Sequence, residues 1–180
     1  DLLGKEPSAA DRASERLGNL KELLADGLTG LRDLIWTIEE DDCTVGDLAA
    51  HIRDTTERLL RGEEIDLSMD TKIQDEGMPL SALIRLNVIR IVQESVTNAL
   101  KHSGATRLRV EVSQKSDELF VAVSDNGVGF DATMRRKNGY GLRNMQKRCE
   151  EMGGTCMLES RPGEGTKVCV MVGITQRRSR

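Results

Sequence analysis

The most informative part of the chain is residues 93–125, which read QESVTNALKHSGATRLRVEVSQKSDELFVAVSD. They begin in the last turns of a very apolar helical pattern, which runs through Leu100 and stops at residues 103–104 (Ser-Gly). Apolar and polar residues then alternate over 107–114 and again over 119–124, on either side of a polar turn. This order predicts a helix followed by a β-hairpin, and therefore a sheet that contains an antiparallel strand pair.

The patterns on both sides of this segment extend the sheet and cover it with helices. Leucines spaced by three and four residues predict a helix over residues 8–40, and a second helix spans 44–60 with Thr44 as its cap. The other predicted elements are a strand over 64–71, a glycine-rich loop over 125–141, a helix over 142–152, and strands over 155–160 and 166–173. The predicted fold class is α+β: a two-layer α/β sandwich with a mixed, mostly antiparallel sheet, preceded by N-terminal helices.

Composition excludes several classes of protein. The 180 residues carry 26 basic and 30 acidic side chains, a net charge of −4, and aromatic residues make up 2%. A mildly acidic chain with so few aromatic side chains argues against nucleic-acid binding, which needs a basic surface and stacking platforms. No stretch approaches the roughly 20 apolar residues that span a bilayer, so we expect no membrane contact by this chain.

The four cysteines form no CxxC pair and have no His at metal-ligand spacing, which argues against a zinc site. Reduced, structural thiols in a cytoplasmic protein are the expectation.

A polar stripe of Glu94, Asn98 and Lys101 lies on the otherwise apolar helix, because residues three and four apart share one helix face. A carboxylate can orient a hydroxyl or a water, an amide oxygen can ligate a hard cation, and an ammonium can bind a phosphate. The stripe alone favours a plain solvated helix face, on which Lys101 and His102 stabilise the C-terminal end.

Three glycine-rich segments follow: DNGVGF at 125–130, NGYGL at 138–142 and GEGT at 163–166. Glycine lets the backbone approach a ligand closely and adopt positive φ, and the free amides of a helix N-terminus bind anions. Asp125, at a strand end, is placed to accept a hydrogen bond from an exocyclic amine. Each segment alone is equally typical of a plain turn, and none is the dinucleotide-binding fingerprint, because residues 125–130 are not followed directly by a helix.

Taken together, the four segments resemble the sequence boxes of histidine kinases. Residues 93–102 are similar to the N box, 125–130 to the first glycine box, 138–145 to the second glycine box and 163–166 to the terminal Gly-Thr box, in the family's order. The resemblance covers about residues 63–174. The resemblance extends to the GHKL ATPase superfamily, which also includes gyrase, MutL and a heat-shock chaperone. In the detail of their sequences, the motifs resemble those of sensor kinases related to nitrate and membrane-fluidity sensors.

The resemblance implies a role for each matching residue. Glu94 would polarise the attacking group, Asn98 would bind Mg²⁺ and the nucleotide, and Lys101 would reach a phosphate. His102 would contact the nucleotide, and Asp125 would bind the adenine amine. The other ATP-binding residues that the motifs imply are Gly127, Gly129, Gly139, Tyr140, Gly141, Leu142 and Thr166. The implied cofactors are ATP and Mg²⁺, and the chemistry asks mainly for positioning and charge neutralisation around the γ-phosphate.

The same resemblance implies three segments. Residues 1–60 would hold a partial dimerisation helix and a linker helix, since residues 31–36 (LRDLIW) are similar to the second helix of the family's dimerisation bundle. Residues 61–176 would form the ATP-binding catalytic domain, and 177–180 a disordered tail.

The family's phosphoacceptor is a His followed by an acidic residue, on a first dimerisation helix. Here His51 is followed by Ile52, and His102 lies in the N box. We therefore expect the phosphoacceptor helix to be absent from this chain, which would then not autophosphorylate by itself.

The implied function is transfer of the ATP γ-phosphate to a His on a dimerisation helix not present in this chain, for relay to an Asp of a response regulator. The implied partners are a response regulator with a helix-turn-helix output and, in the full-length protein, a second copy of the chain. The implied location is the cytoplasm, with membrane anchoring of the full-length protein left open. Two alternatives remain: a nucleotide-binding regulatory module without phosphoryl transfer, and an anti-sigma-type serine kinase, which the dimerisation-like first helix disfavours.

Overall fold

The computed structural model describes residues 27, 31, 43–131 and 140–174, Tyr140 by its backbone alone. The chain divides into two compact units, Asp1–Glu39 and Glu40–Arg180. In the first unit Gly27 and Leu31 are helical and exposed. The rest of the predicted first helix lies outside the described residues, as do Gly139 and the predicted tail.

Helix α1 (Val45–Leu59) begins after its predicted cap, Thr44, which forms a capping box with Asp47. The Asp47 amide donates to Thr44 Oγ1 at 3.3 Å, and the Asp47 carboxylate accepts from the Thr44 amide at 2.9 Å and hydroxyl at 2.7 Å. These hydrogen bonds hold the pKa of the Asp47 carboxyl below its ordinary value. The apolar face of the helix, with Leu48 and Ile52 fully buried, packs on the rest of the second unit.

The strands are β1 (Asp66–Ile73), β2 (Arg107–Lys115), β3 (Glu118–Asp125), β4 (Thr155–Ser160) and β5 (Thr166–Gly173). They form one sheet in the spatial order β1-β2-β3-β5-β4. Strand β1 runs parallel to β2, whereas the β2–β3, β3–β5 and β4–β5 pairs are antiparallel. The prediction of a mixed, mostly antiparallel sheet is confirmed.

Helix α2 (Ala82–Asn98) begins at Ser81, whose hydroxyl accepts from the Ile84 amide at 3.3 Å. It continues into a π-helical turn (Ala99–Ser103) that ends at Gly104, where φ is +60°. Glycine adopts this left-handed conformation without steric strain, and the helix therefore ends there. The sequence predicted this end point, but not the change to π geometry over the last turn.

Helix α3 (Tyr140–Glu151) packs against α2 and β4. The hydrophobic core lies between the helices and one face of the sheet, where alternate strand residues are buried. The core residues of the three central strands are Leu108, Val110, Val112, Leu119, Val121, Val123, Val168, Val170 and Val172. The fold is therefore the predicted two-layer α/β sandwich.

Two buried polar residues of α2, Arg85 and Asn87, depart from its apolar pattern, since each is only 2% exposed. The Arg148 guanidinium of α3 donates to Asn87 Oδ1 at 3.4 Å, which links the two helices through a polar contact. Leu83, by contrast, is an apolar residue that is 49% exposed at the start of α2.

Backbone hydrogen bonds join the start of α1 to the segment that precedes α2. The Val45 amide donates to the Met78 carbonyl at 2.9 Å, and the Leu80 amide donates to the Cys43 carbonyl at 2.9 Å. These bonds and the buried face of α1 place residues 43–59 in the same compact unit as the sheet. The functional boundary that we expect at residue 60 thus lies inside this compact unit.

None of the helices within the described residues combines the length and the hydropathy that crossing a bilayer requires.

Candidate functional site

The polar stripe of α2 is held together by a hydrogen bond between its two central side chains. Asn98 Nδ2 donates to Glu94 Oε1 at 3.2 Å, and both residues are half-buried. Because the amide nitrogen is committed to the carboxylate, the amide oxygen of Asn98 is the atom directed away from Glu94. An amide oxygen beside a carboxylate is a fitting partial ligand set for a hard divalent cation, which takes its other ligands from water and phosphate.

Gly141, at the start of α3, lies directly against the Glu94 carboxylate. A Cβ atom built on Gly141 would overlap Glu94 Oε1, so any larger residue here requires the Glu94 side chain to move. A helix N-terminus favours negative charge, and Glu94 supplies it at this point. The second glycine box is therefore in contact with the N box.

The π turn connects the N box to the first glycine box. The Ser103 carbonyl accepts from the Val128 amide at 2.8 Å, and a Cβ on Gly127 would lie 2.5 Å from Ser103 Cβ. Lys101 and His102, on the same turn, are exposed. The close approach of Gly127 explains the requirement for glycine at that position.

The first glycine box is shaped by its own two polar side chains. Asp125 Oδ1 accepts from the Gly127 amide at 2.8 Å, which folds the loop back over the end of β3. Asn126 Oδ1 accepts from the amides of Thr106 and Arg107 at 3.0 and 2.8 Å, which fixes the loop to the start of β2. One carboxylate oxygen of Asp125 thus accepts a hydrogen bond from the loop backbone, and the second is the oxygen that could accept one from a ligand.

The terminal Gly-Thr box lies beside the first glycine box because β5 pairs with β3. Thr166 is directly opposite Asp125 in the strand register, and a Cβ on Gly165 would collide with the Asp125 carbonyl. The Gly163 amide donates to the Val128 carbonyl at 2.7 Å. Both glycines have positive φ, +83° at Gly163 and +75° at Gly165, which other residues rarely adopt.

The four segments therefore lie close together in space. The same four segments fall within the region that this chain shares with a known protein family. The family model for histidine kinase-, DNA gyrase B-, and HSP90-like ATPases matches residues 84–176, which include all four. The chain belongs to this ATPase family.

Among curated proteins, the chain is similar to a sensor protein. Sensor protein VraS of Staphylococcus aureus (strain COL) is 29% identical over 164 residues, which are 91% of this chain and 46% of that protein. The chain thus spans about half the length of the curated relatives that it matches, 46% in the case of VraS.

Two solved structures show the same fold. The Erythrobacter litoralis EL346 blue-light activated histidine kinase has a TM-score of 0.70 at 16% identity, over 97% of this chain and 63% of that chain. The catalytic domain of histidine kinase ThkA has a TM-score of 0.58 at 18% identity, over 73% of this chain and 93% of that chain. The chain therefore carries a domain of the histidine kinase-, DNA gyrase B-, and HSP90-like ATPase family, with the fold of a histidine kinase catalytic domain.

Within this ATPase domain, most of the residues that the motifs single out lie around one region. Glu94, Asn98 and Gly141 meet at the α2–α3 contact, and Asp125 and Thr166 are cross-strand neighbours. Leu142 is half-buried in the first turn of α3, and Gly129, with φ of +56°, lies against the β4–β5 turn. Gly139 and the side chain of Tyr140 lie outside the described residues.

Sequence reasoning missed three residues that hold the ATPase motifs together: Ser103, Asn126 and Ser160. The Ser103 hydroxyl accepts from the Ala105 amide at 3.0 Å and Asn126 Oδ1 from the Arg107 amide at 2.8 Å. Ser160 accepts from the Phe130 amide at 2.9 Å. Asn126 lies inside the first glycine box and Ser103 directly follows the N box, so their polar character was the available signal. Ser160 lies outside them, and only the pairing of β4 with β5 brings it to the site.

Proposed function

We propose that the domain binds Mg²⁺·ATP in the region bounded by the four motifs and transfers the γ-phosphate to a histidine on a dimerisation helix. The observation that carries the proposal is the convergence of Glu94, Asn98 and Gly141, with Asp125 and Thr166 at the neighbouring strand ends. In this reaction a bond forms between an imidazole nitrogen and phosphorus, the bond to the β-phosphate oxygen breaks, and ADP leaves.

The residues around Glu94 suit the phosphate end of the nucleotide. Asn98 would ligate Mg²⁺ through its amide oxygen, and the hydrogen bond to Glu94 supports that orientation. The bound cation would supply charge neutralisation between the phosphates. Glu94 would polarise the attacking imidazole, and Lys101 and His102 would contact phosphate and nucleotide from the π turn. Gly139, Gly141 and the backbone of Tyr140 and Leu142 would flank the triphosphate.

The residues around Asp125 suit the adenine end. The carboxylate oxygen of Asp125 that is not bound to Gly127 would accept from the adenine amine, and Thr166 would support the same edge of the base. Gly127 and Gly129 would shape the pocket wall, because neither position leaves room for a side chain. Positioning and electrostatics of this kind are most of what phosphoryl transfer requires from a protein.

The partners follow from the class of the domain. We propose that a second copy of the full-length protein supplies the dimerisation interface, and that a response regulator with a helix-turn-helix output receives the phosphate on an Asp in the cytoplasm. Sensor histidine kinase relatives support a response regulator and dimerisation in general. The segment boundaries that we propose are 1–60 for the dimerisation and linker helices, 61–176 for the ATPase domain and 177–180 for the tail.

A phosphotransfer assay in trans tests the proposal. The chain is mixed with a separate fragment that carries a dimerisation helix with a His-Asp or His-Glu pair, together with labelled Mg²⁺·ATP. We expect acid-labile, base-stable label on that fragment, as phosphohistidine requires, and none on the chain incubated alone. The matched control is Glu94→Gln, which keeps the shape of the side chain and lowers the transfer rate.

The same assay separates the alternatives. Nucleotide binding without any label transfer would favour the regulatory module. Acid-stable label on a protein hydroxyl would favour the serine kinase. Either outcome would overturn the proposal.

A further inference from the structure

Three polar side chains form a row on the core-facing side of the sheet, across strands β3, β5 and β4. Asp125 is opposite Thr166, and Thr166 is opposite Ser160, in two consecutive antiparallel registers. Side chains directly opposite each other on one face lie within about 5 Å at Cβ, so each can contact the next. Ser160 is therefore the outer neighbour of the two residues that we place at the adenine end of the nucleotide.

The Ser160 hydroxyl has three partners, which use its whole hydrogen-bonding capacity. It accepts from the Phe130 amide at 2.9 Å and lies 3.0 Å from the Gly165 carbonyl and 3.0 Å from Thr166 Oγ1. A hydroxyl has one hydrogen to donate and two lone pairs to accept with. A carbonyl can only accept, so the Ser160 hydrogen goes to Gly165, and Thr166 must then be the donor in the contact with Ser160.

This assignment fixes the direction of the Thr166 hydroxyl. Its hydrogen points to Ser160, away from Asp125, and its lone pairs are the part that can face a ligand. We propose that Ser160 is a positioning residue that holds Thr166 as a hydrogen-bond acceptor and so makes the site select 6-aminopurine over 6-oxopurine nucleotides. The inference rests on the proposed function, because it takes Thr166 and Asp125 as the groups at the purine edge.

The chemistry of the two purines explains the selection. Adenine presents an amine donor at position 6, which matches a carboxylate oxygen of Asp125 and an acceptor-only Thr166. Hypoxanthine presents a carbonyl at that position, which would face two acceptors with no hydrogen between them. A hydroxyl free to rotate could instead donate to the 6-oxo group, so loss of Ser160 removes part of the penalty against it. Sites that hydrogen-bond a substrate group discriminate strongly against an analogue that cannot pair.

The test compares the affinities of ADP and inosine diphosphate, which differ only at the base, by calorimetry in the presence of Mg²⁺. We expect Ser160→Ala to lower the ratio of ADP to inosine diphosphate affinity by about fivefold to tenfold, the size of one net hydrogen bond. Ser160→Thr keeps the hydroxyl and is the matched control, for which we expect a ratio close to that of the wild type. Ser160→Cys is the second variant, since a thiol fills a similar space but bonds weakly, and we expect it to lower the ratio in the same direction.

A purely structural role would change both affinities equally, so the ratio separates the two roles. Thr166→Val should lower the ratio as well, and the double variant Ser160→Ala with Thr166→Val should lower it no further than Thr166→Val alone. An unchanged ratio in folded Ser160→Ala or Ser160→Cys, with a wild type that prefers ADP, overturns this inference and leaves the proposed function standing. A wild type that binds neither nucleotide overturns both.

Discussion

Single glycines hold the site's motifs in contact at the residue scale. Gly127, Gly141 and Gly165 each stand where a Cβ atom would collide with Ser103, the Glu94 carboxylate and the Asp125 backbone respectively. At Gly165 a positive φ adds a second requirement for glycine, whereas at Gly141 the helical backbone suits any residue and the requirement is one of space alone. Gly141 is therefore the position at which close approach can be tested without backbone strain.

We predict that Gly141→Ala displaces the Glu94 carboxylate and lowers the rate of phosphotransfer to an acceptor helix by about 100-fold, the cost typical of a misplaced catalytic group. Alanine is the better helix former, so the free energy of unfolding should not fall in parallel. The rate is measured with labelled ATP and the stability by urea denaturation. Gly173→Ala, at a strand end where a Cβ has open space, is the control. Equal rates for Gly141→Ala and the wild type would contradict the assigned contact.

We predict that Asp125→Asn removes most of the preference for adenine. The amide oxygen of the new side chain keeps the bond to the Gly127 amide, so the other atom becomes an NH₂ donor where a carboxylate oxygen stood. Affinity for ADP should fall by about tenfold or more relative to inosine diphosphate, since a hydrogen-bond acceptor is replaced by a donor. Calorimetry with both nucleotides measures this, and an unchanged ratio would remove Asp125 from the purine site.

At the residue scale, the sequence predicts the residues that would contact a ligand better than the residues that hold them in place. Glu94 and Asn98 were predicted to share a face because residues four apart lie on the same side of a helix, and the two side chains form a hydrogen bond. Ser160 was not predicted, because its contacts depend on which strand pairs with β5 and in what register. Register follows from the whole sheet, so no local pattern around Ser160 reports it.

The secondary-structure elements are stabilised at their ends by local hydrogen bonds, and α1 shows this most clearly. We predict that Thr44→Ala lowers the free energy of unfolding by about 1 kcal/mol, the usual contribution of a cap. Thr44→Ser retains the hydroxyl and should stay close to the wild type. Urea denaturation followed by circular dichroism measures both.

The effect of Thr44→Ala should also depend on pH. The capping bonds depress the pKa of Asp47 in the folded chain, so their stabilisation is present above the unfolded pKa of about 3.9 and is lost as pH falls through the folded value. The difference between wild type and Thr44→Ala should therefore be largest near neutral pH and shrink below about pH 4. A difference that grows toward low pH would contradict the role of the carboxylate.

The thiols of α3 and β4 give a second test at this scale. A hydrogen bond with Cys156 and burial raise the pKa of Cys149, and the same bond lowers the pKa of Cys156. We predict that iodoacetamide modifies Cys156 faster than Cys149, as mass spectrometry of the peptides would show, because Cys156 is also the more exposed. Cys149→Ala should shift the midpoint of Cys156 modification to higher pH. Faster modification of Cys149 would show that α3 and β4 do not pack in this way.

The order and type of the elements in the described ranges were predictable, because alternation and helical spacing are local. Two features were not. The parallel pairing of β1 with β2 depends on the crossover through α2, and the π geometry of residues 99–103 leaves no pattern that separates it from an α-helical end.

At the scale of the whole molecule, the second unit holds all four motifs and the first holds the residues that resemble a dimerisation helix. The curated relative VraS is about twice as long as this chain, which covers 46% of it. In the proposed reaction, a separate acceptor histidine is brought to the bound nucleotide. The ATPase domain should therefore bind Mg²⁺·ATP by itself and need the acceptor only for transfer.

The most direct test of the account is calorimetric titration of the chain with ATP, with Mg²⁺ present and with Mg²⁺ removed by chelation. We predict that the wild type binds ATP in a Mg²⁺-dependent manner and that Asn98→Ala loses the dependence, because the amide oxygen beside Glu94 is the proposed ligand. Gln146→Ala, at an exposed position of α3 outside the second glycine box, should bind as the wild type does. Absence of ATP binding by the wild type, or unchanged Mg²⁺-dependent affinity in Asn98→Ala, would contradict the account.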